Sequence, residues 1–118
     1  MITLKNNYAK GAAKERKIIH CLIDKHKCTY AARIAGSHSA FDVIGVSDAL
    51  TYLVQSKSTK STPKGVVSLL IAYKNDLSKM NLVNSNVRSV KELWIFVDCK
   101  RLPIKILLLN DEHYKKKN

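Results

Sequence analysis

Four side chains in the first half of the chain carry groups suited to phosphoryl chemistry: Glu15, Asp42, Gln55 and Lys57. Three present oxygen and one presents an ammonium. Hard divalent cations such as Mg2+ are held by a few oxygens of this kind and keep waters that can become nucleophiles. Gln55 and Lys57 stand two positions apart in LTYLVQSK, so on a strand they share a face. A lysine placed there can orient or deprotonate water, or stabilise charge building on a phosphate. Asp42 opens the apolar run DVIGV. Glu15 interrupts the apolar stripe of a helix, where burying it unpaired would cost several kcal/mol. Each group also has a plainer use. Asp42 could cap the start of its strand or form half of a surface ion pair, Gln55 and Lys57 could sit on a solvated strand face, and Glu15 could pair with Arg16 or Lys57.

The elements that must position these groups follow from hydropathy. Residues 11–25 predict a helix, with Ala12, Glu15, Ile19, Leu22 and Ile23 on one side and Lys10, Lys14, Lys17 and Asp24 opposite. TYAARI, FDVIGV and LTYLVQSK predict three strands, with AGSHS as a loop after the first and a turn at Ser47 and Asp48. Residues 58–65, SSer/Thr/Lys-rich with Pro63 and Gly65, predict a loop. Residues 66–80 predict a helix whose apolar side holds Val66, Leu69, Leu70, Tyr73 and Leu77. KELWIFVD and PIKILLLN predict two buried strands, with Trp94 and Phe96 as core rather than a stacking platform. The fold class is α/β, a mixed central sheet flanked by helices in the order α-βββ-α-ββ. Residues 1–118 form a single domain, with residues 1–9 as an arm and 111–118 as a mobile basic tail.

The charge balance points to a polyanion. Lys and Arg number 21 against 9 Asp and Glu, a net charge of +12, which favours nucleic acid as partner, with an anionic membrane surface second. No apolar run reaches the roughly 20 residues that span a bilayer, and MITLKNNYAKGAAK lacks the apolar segment of a secretory signal. The expectation is a cytoplasmic protein without a membrane. Cys21, Cys28 and Cys99 are odd in number and show no CxxC spacing, so they read as core fillers in a reducing compartment; the four histidines, at 20, 26, 38 and 113, show no ligand spacing either.

KGAAKER (residues 10–16), RIAGSHSAFDVI (33–44) and VQSKST (54–59), in this order and spacing, resemble the archaeal Holliday junction resolvase family, a branch of the PD-(D/E)xK nucleases. That family has a Gly-x-x-x-Glu-Arg helix start, an R-x-x-GS-x-S loop before a Pro-Asp strand, and an E-x-K-S strand. The resemblance covers residues 10–59 closely and the following helix and two strands in kind. It implies a restriction-endonuclease-like fold and metal-dependent, paired symmetric nicking of four-way DNA junctions by a homodimer. Asp42, Gln55 and Glu15 would hold Mg2+, with Mn2+ as a substitute and no small-molecule cofactor. Lys57 would be catalytic, and Ser37 and Ser39 would lie near the scissile phosphate. Lys10, Gly11, Arg16 and Arg33 would meet DNA, Gly11 through close backbone approach at a helix start. Lys60 and Lys64, which flank the end of the Gln55–Lys57 strand, are expected to add phosphate contacts. The apolar side of the helix at 66–80, or the last strands, would form the dimer interface. The family is archaeal, and the small size and short C-terminal end suit a viral version.

Two positions depart from the family pattern. Phe41 stands where Pro is usual, at a position that shapes the start of the strand rather than the chemistry. Gln55 replaces a carboxylate; its amide oxygen can ligate Mg2+ but brings no negative charge, which lowers metal affinity. The departures leave two alternatives in view: a nuclease of the same fold acting on other DNA structures, and a DNA-binding protein that has lost catalysis.

Overall fold

Helix α1 spans Ile2–Asp24, beginning well before the expected residue 11. Residues 2–10 contain neither Pro nor Gly, so nothing in them stops a helix from continuing toward the N-terminus. The computed structural model describes residues 2–35, 39–83 and 88–108, with side chains from residue 11 onward. The buried stripe of α1 is Ile18 and Leu22, both fully covered, with Ile19 half-buried and Ile23 42% exposed. Glu15 lies at the end of this stripe at i, i+3, i+7 spacing, as the sequence places it.

Five strands form one mixed sheet in the order β1-β2-β3-β4-β5: Tyr30–Arg33, Val43–Val46, Thr51–Thr59, Ser89–Val97 and Ile104–Leu108. β1, β2 and β3 form an antiparallel meander, β3 and β4 run parallel, and β5 returns antiparallel to β4. The β2–β3 hairpin closes at Ser47, whose N–H donates to Leu50 O at 2.9 Å while its hydroxyl both receives from Leu50 N–H and donates to Leu50 O. The parallel pair requires a crossover, and α2 (Val66–Ala72) and α3 (Lys74–Asn81) occupy it. The single helix expected over 66–80 is bent at Tyr73 (φ −108, ψ 21) with no Pro or Gly to mark the place. Leu69, Tyr73, Leu77 and Met80 continue one apolar line across the bend, so packing sets the orientation on both sides.

Strand register sorts the core into two clusters, one on each face of the sheet. On one face, α1 lays Ile18 and Leu22 against Val43, Tyr52, Val54 and Trp94. Contact is close enough that a Cβ added at Gly45 would lie 2.8 Å from Leu22 Cδ1 and 3.1 Å from Cys28 Sγ. Burial pushes the Cys28 thiol above its ordinary 9.0. Burial also raises the Tyr52 phenol above 10.0, with smaller contributions from Cys28 and Glu92. On the other face, Leu69 and Met80 of the crossover helices meet Phe41, Leu93, Ile95 and Val97. β4 is buried as its apolar run predicts, whereas β5 is an edge strand with Lys105 and Leu107 exposed.

Candidate functional site

β3 outlasts its neighbour. β2 pairs with it from Thr51 to Val54, while β4 accompanies it to Thr59, so, among the described residues, 55–59 have a strand partner on one side alone. Asp42 stands at this open margin. Val43 is the register partner of Val54, yet the Asp42 N–H also donates to Val54 O at 2.8 Å. Two residues of one strand therefore address one residue of the other, which is a β-bulge. The bulge breaks the alternation of side chains. Counting back from Val43 would put Phe41 under α1, but Phe41 is buried with Leu69, Leu93 and Ile95 on the opposite face. Ser39 prepares this turn, its hydroxyl donating to Phe41 O at 2.8 Å and receiving from Phe41 N–H at 3.2 Å.

Re-aimed by the bulge, the Asp42 carboxylate reaches past the end of β2 to β3. Its Oδ2 accepts hydrogen bonds from Ser56 N–H at 3.0 Å and from Ser56 Oγ at 2.8 Å. A side chain thus supplies the acceptor that a longer β2 would have provided to the β3 edge. Ser56 points to the α1 face by register, and so do Ser58 and Arg33. From α1, Lys14 Nζ donates to Ser58 Oγ, and Glu15 Oε1 lies 2.5 Å from Arg33 Nε. Glu15 Oε1 is buried and accepts no aligned hydrogen bond, so its contact with Arg33 is an ion pair. The acid inside the apolar stripe is compensated by a guanidinium from β1, which is neither Arg16 nor Lys57.

Gln55 and Lys57 share a face, as the period of two requires, but it is the face under α2 and α3. Lys57 Nζ lies 3.0 Å from Asp76 Oδ1 of α3, in an ion pair with both side chains partly exposed. Gln55 Oε1 is buried and has no hydrogen-bond partner among the described residues. The four expected groups are therefore divided. Glu15 and the Asp42–Ser56 contact lie on one side of β3, Gln55 and Lys57 lie on the other, and the open margin separates them.

The remaining expected residues fall as follows. Gly11 is in the interior of α1, so its backbone is not at a helix start as expected, because the helix continues to Ile2. Arg16, Arg33, Lys60 and Lys64 are exposed. Ser37, together with His38, and the side chain of Lys10 lie outside the described residues. Sequence reasoning missed Asp76, Ser56 and Lys14. The available signal for Asp76 was an acid in the first turn of a helix that returns over the Lys57 face.

Among the described residues no three His, Cys, Asp or Glu side chains group as a metal site, and no helix is long and apolar enough to cross a membrane. Cavities of about 340 and 310 Å³ lie elsewhere, the first against Leu70, Leu77 and Ile106 and the second against Lys17, Trp94 and Lys105.

No family model matches the chain, and no curated protein matches it. Among solved structures it is similar to Hjc of Archaeoglobus fulgidus, described as a Holliday junction resolvase from an archaeal hyperthermophile. Identity is 17%, the match covers 89% of this chain and 98% of that one, and the TM-score is 0.41.

Proposed function

We propose that this protein is a metal-dependent endonuclease that resolves four-way DNA junctions by paired nicks. The observation that carries the reading is Asp42, turned by a bulge onto the unpaired margin of β3 and bonded there to Ser56, the residue between Gln55 and Lys57, whose own side chains leave the strand on its other face. A net charge of +12 supplies the attraction for a polyanion, and the resemblance of the three sequence blocks supplies the substrate class.

Asp42 and Gln55 Oε1 are hard oxygen donors of the kind Mg2+ or Mn2+ takes, alongside water and phosphate; they leave β3 on opposite faces, so they would share an ion only across its open margin. When bound, the ion would supply Lewis acidity toward the phosphodiester. Asp42 would hold it at the margin, with Ser56 fixing the carboxylate through two hydrogen bonds. Lys57 would stabilise charge on the phosphate, and for this its ammonium must turn from Asp76 toward the substrate. Glu15 would hold Arg33 against the DNA backbone, and exposed Arg16, Lys60 and Lys64 would add phosphate contacts.

Paired nicks need two sites, and a second copy of this chain would cover the apolar surface of α2. Val66 and Val67 are each 72% exposed and Ile71 69%, and contiguous apolar patches of this kind mark interaction sites. A two-fold dimer would match the approximate symmetry of the junction.

The test is a labelled four-way junction incubated with Mg2+ or Mn2+. Symmetrical nicks should appear with the wild type and fall by about a hundredfold or more in Asp42→Asn. Tight binding without nicks in either protein would show a DNA-binding protein instead. Preference for flaps or linear duplex in competition would move the substrate assignment.

A further inference from the structure

We infer that Asp76, in the first turn of α3, supplies in space the carboxylate that β3 lacks at position 55. The inference rests on the metal-dependent reading of the β3 margin and assigns one further residue to it. Gln55 and Lys57 project from the same face of β3, and α3 is the helix that brings an acid to that face. Asp76 Oδ1 lies 3.0 Å from Lys57 Nζ, and its side chain is 28% exposed. The acid is held in place from both sides along its helix, because Tyr73 and Leu77 pack on the cluster that includes Leu93 and Ile95.

Gln55 provides the second observation. Its Oε1 is buried and meets no donor among the described residues, which costs free energy unless a cation or a donor approaches. A neutral oxygen at 55 and a carboxylate at 76 together offer the ligand atom and the negative charge that one glutamate at 55 would have offered alone. Glu15 cannot serve in this way, since it lies on the opposite face and is paired with Arg33.

The experiment measures Mn2+ binding by titration calorimetry and junction nicking in parallel, for the wild type, Asp76→Asn, Asp76→Glu and Asp76→Asn/Gln55→Glu. Asp76→Asn should weaken Mn2+ binding by about ten- to a hundredfold, and adding Gln55→Glu should restore most of the loss in both measurements. Asp76→Glu, which keeps the charge, should stay close to the wild type. The inference is overturned if Asp76→Asn binds Mn2+ as the wild type does, or if the added glutamate restores nothing. It also fails if Asp76→Glu loses as much as Asp76→Asn, because packing rather than charge would then be responsible. Nicking that is equal in the wild type and Asp76→Asn removes this inference and leaves the proposed function standing. Mn2+ binding that depends on residue 76, in a protein that never nicks, removes the proposed function and leaves the site.

Discussion

The two faces of the sheet differ in how completely their polar groups and helices are satisfied. Under α1, Leu22 sits against Gly45 with no room for a further carbon, and Glu15 has a guanidinium while Asp42 has two donors. Under α2 and α3, a buried amide oxygen has no partner among the described residues, and one helix of the pair turns four large apolar residues outward. A protein that served its stability alone would gain by covering that helix and pairing that oxygen. Both faces carry a buried apolar cluster, but the unpaired oxygen and the outward apolar helix belong to the second alone among the described residues.

Substitutions matched across the sheet sharpen this contrast. The largest expected effect on stability is on the α1 face. Gly45→Ala forces a methyl against Leu22 and Cys28, and should lower unfolding free energy by about 1–3 kcal/mol in a denaturant titration. A cost near zero would mean that α1 is loosely seated and would erase the distinction. On the other face, Ile71→Asp should change the stability of the single chain by less than about 0.5 kcal/mol, yet shift sedimentation from dimer to monomer. A wild type that sediments as a monomer would show that α2 is not covered by a second copy. The smallest effect is in alkali. Cys28 and Tyr52 have raised proton affinity in the folded state because burial disfavours their anions. Their contribution to stability is therefore full below pH 9.0, the ordinary thiol value, and is lost as pH rises through the raised values. Cys28→Ala should flatten the first part of that decline in a series of thermal melts, while an unchanged slope would place the loss elsewhere.

The order of elements was legible because each has its own period: β3 alternates, α1 repeats on a helical spacing, and β4 is apolar almost throughout. Glu15 was legible as an anomaly for the same reason, since an acid in an apolar stripe needs a partner. The division of the site was not legible. Counting by twos assumes an unbroken ladder, and the bulge at Asp42 adds a residue that leaves no mark in composition. Asp76 was missed because its contact with Lys57 depends on how the crossover helices return, and the bend at Tyr73 that directs α3 has no Pro or Gly to announce it. The long apolar helix surface expected at 66–80 was half right. Leu69 is buried, whereas Val66 and Leu70 remain exposed, because α2 touches the sheet along one narrow line.

The bulge also bears on how such a chain can change over generations. Deleting one residue between Ser39 and Val43 would restore simple alternation, carrying an aromatic ring toward Ile18 and an acid toward Leu93 in a single step. A point substitution at these positions alters one side chain, but a shift in length there exchanges the polar groups of one side of the molecule for the packing of the other. Relatives that keep the bulge should therefore vary in loop length around the hairpin and the crossover while holding the count from residue 39 to residue 43 fixed.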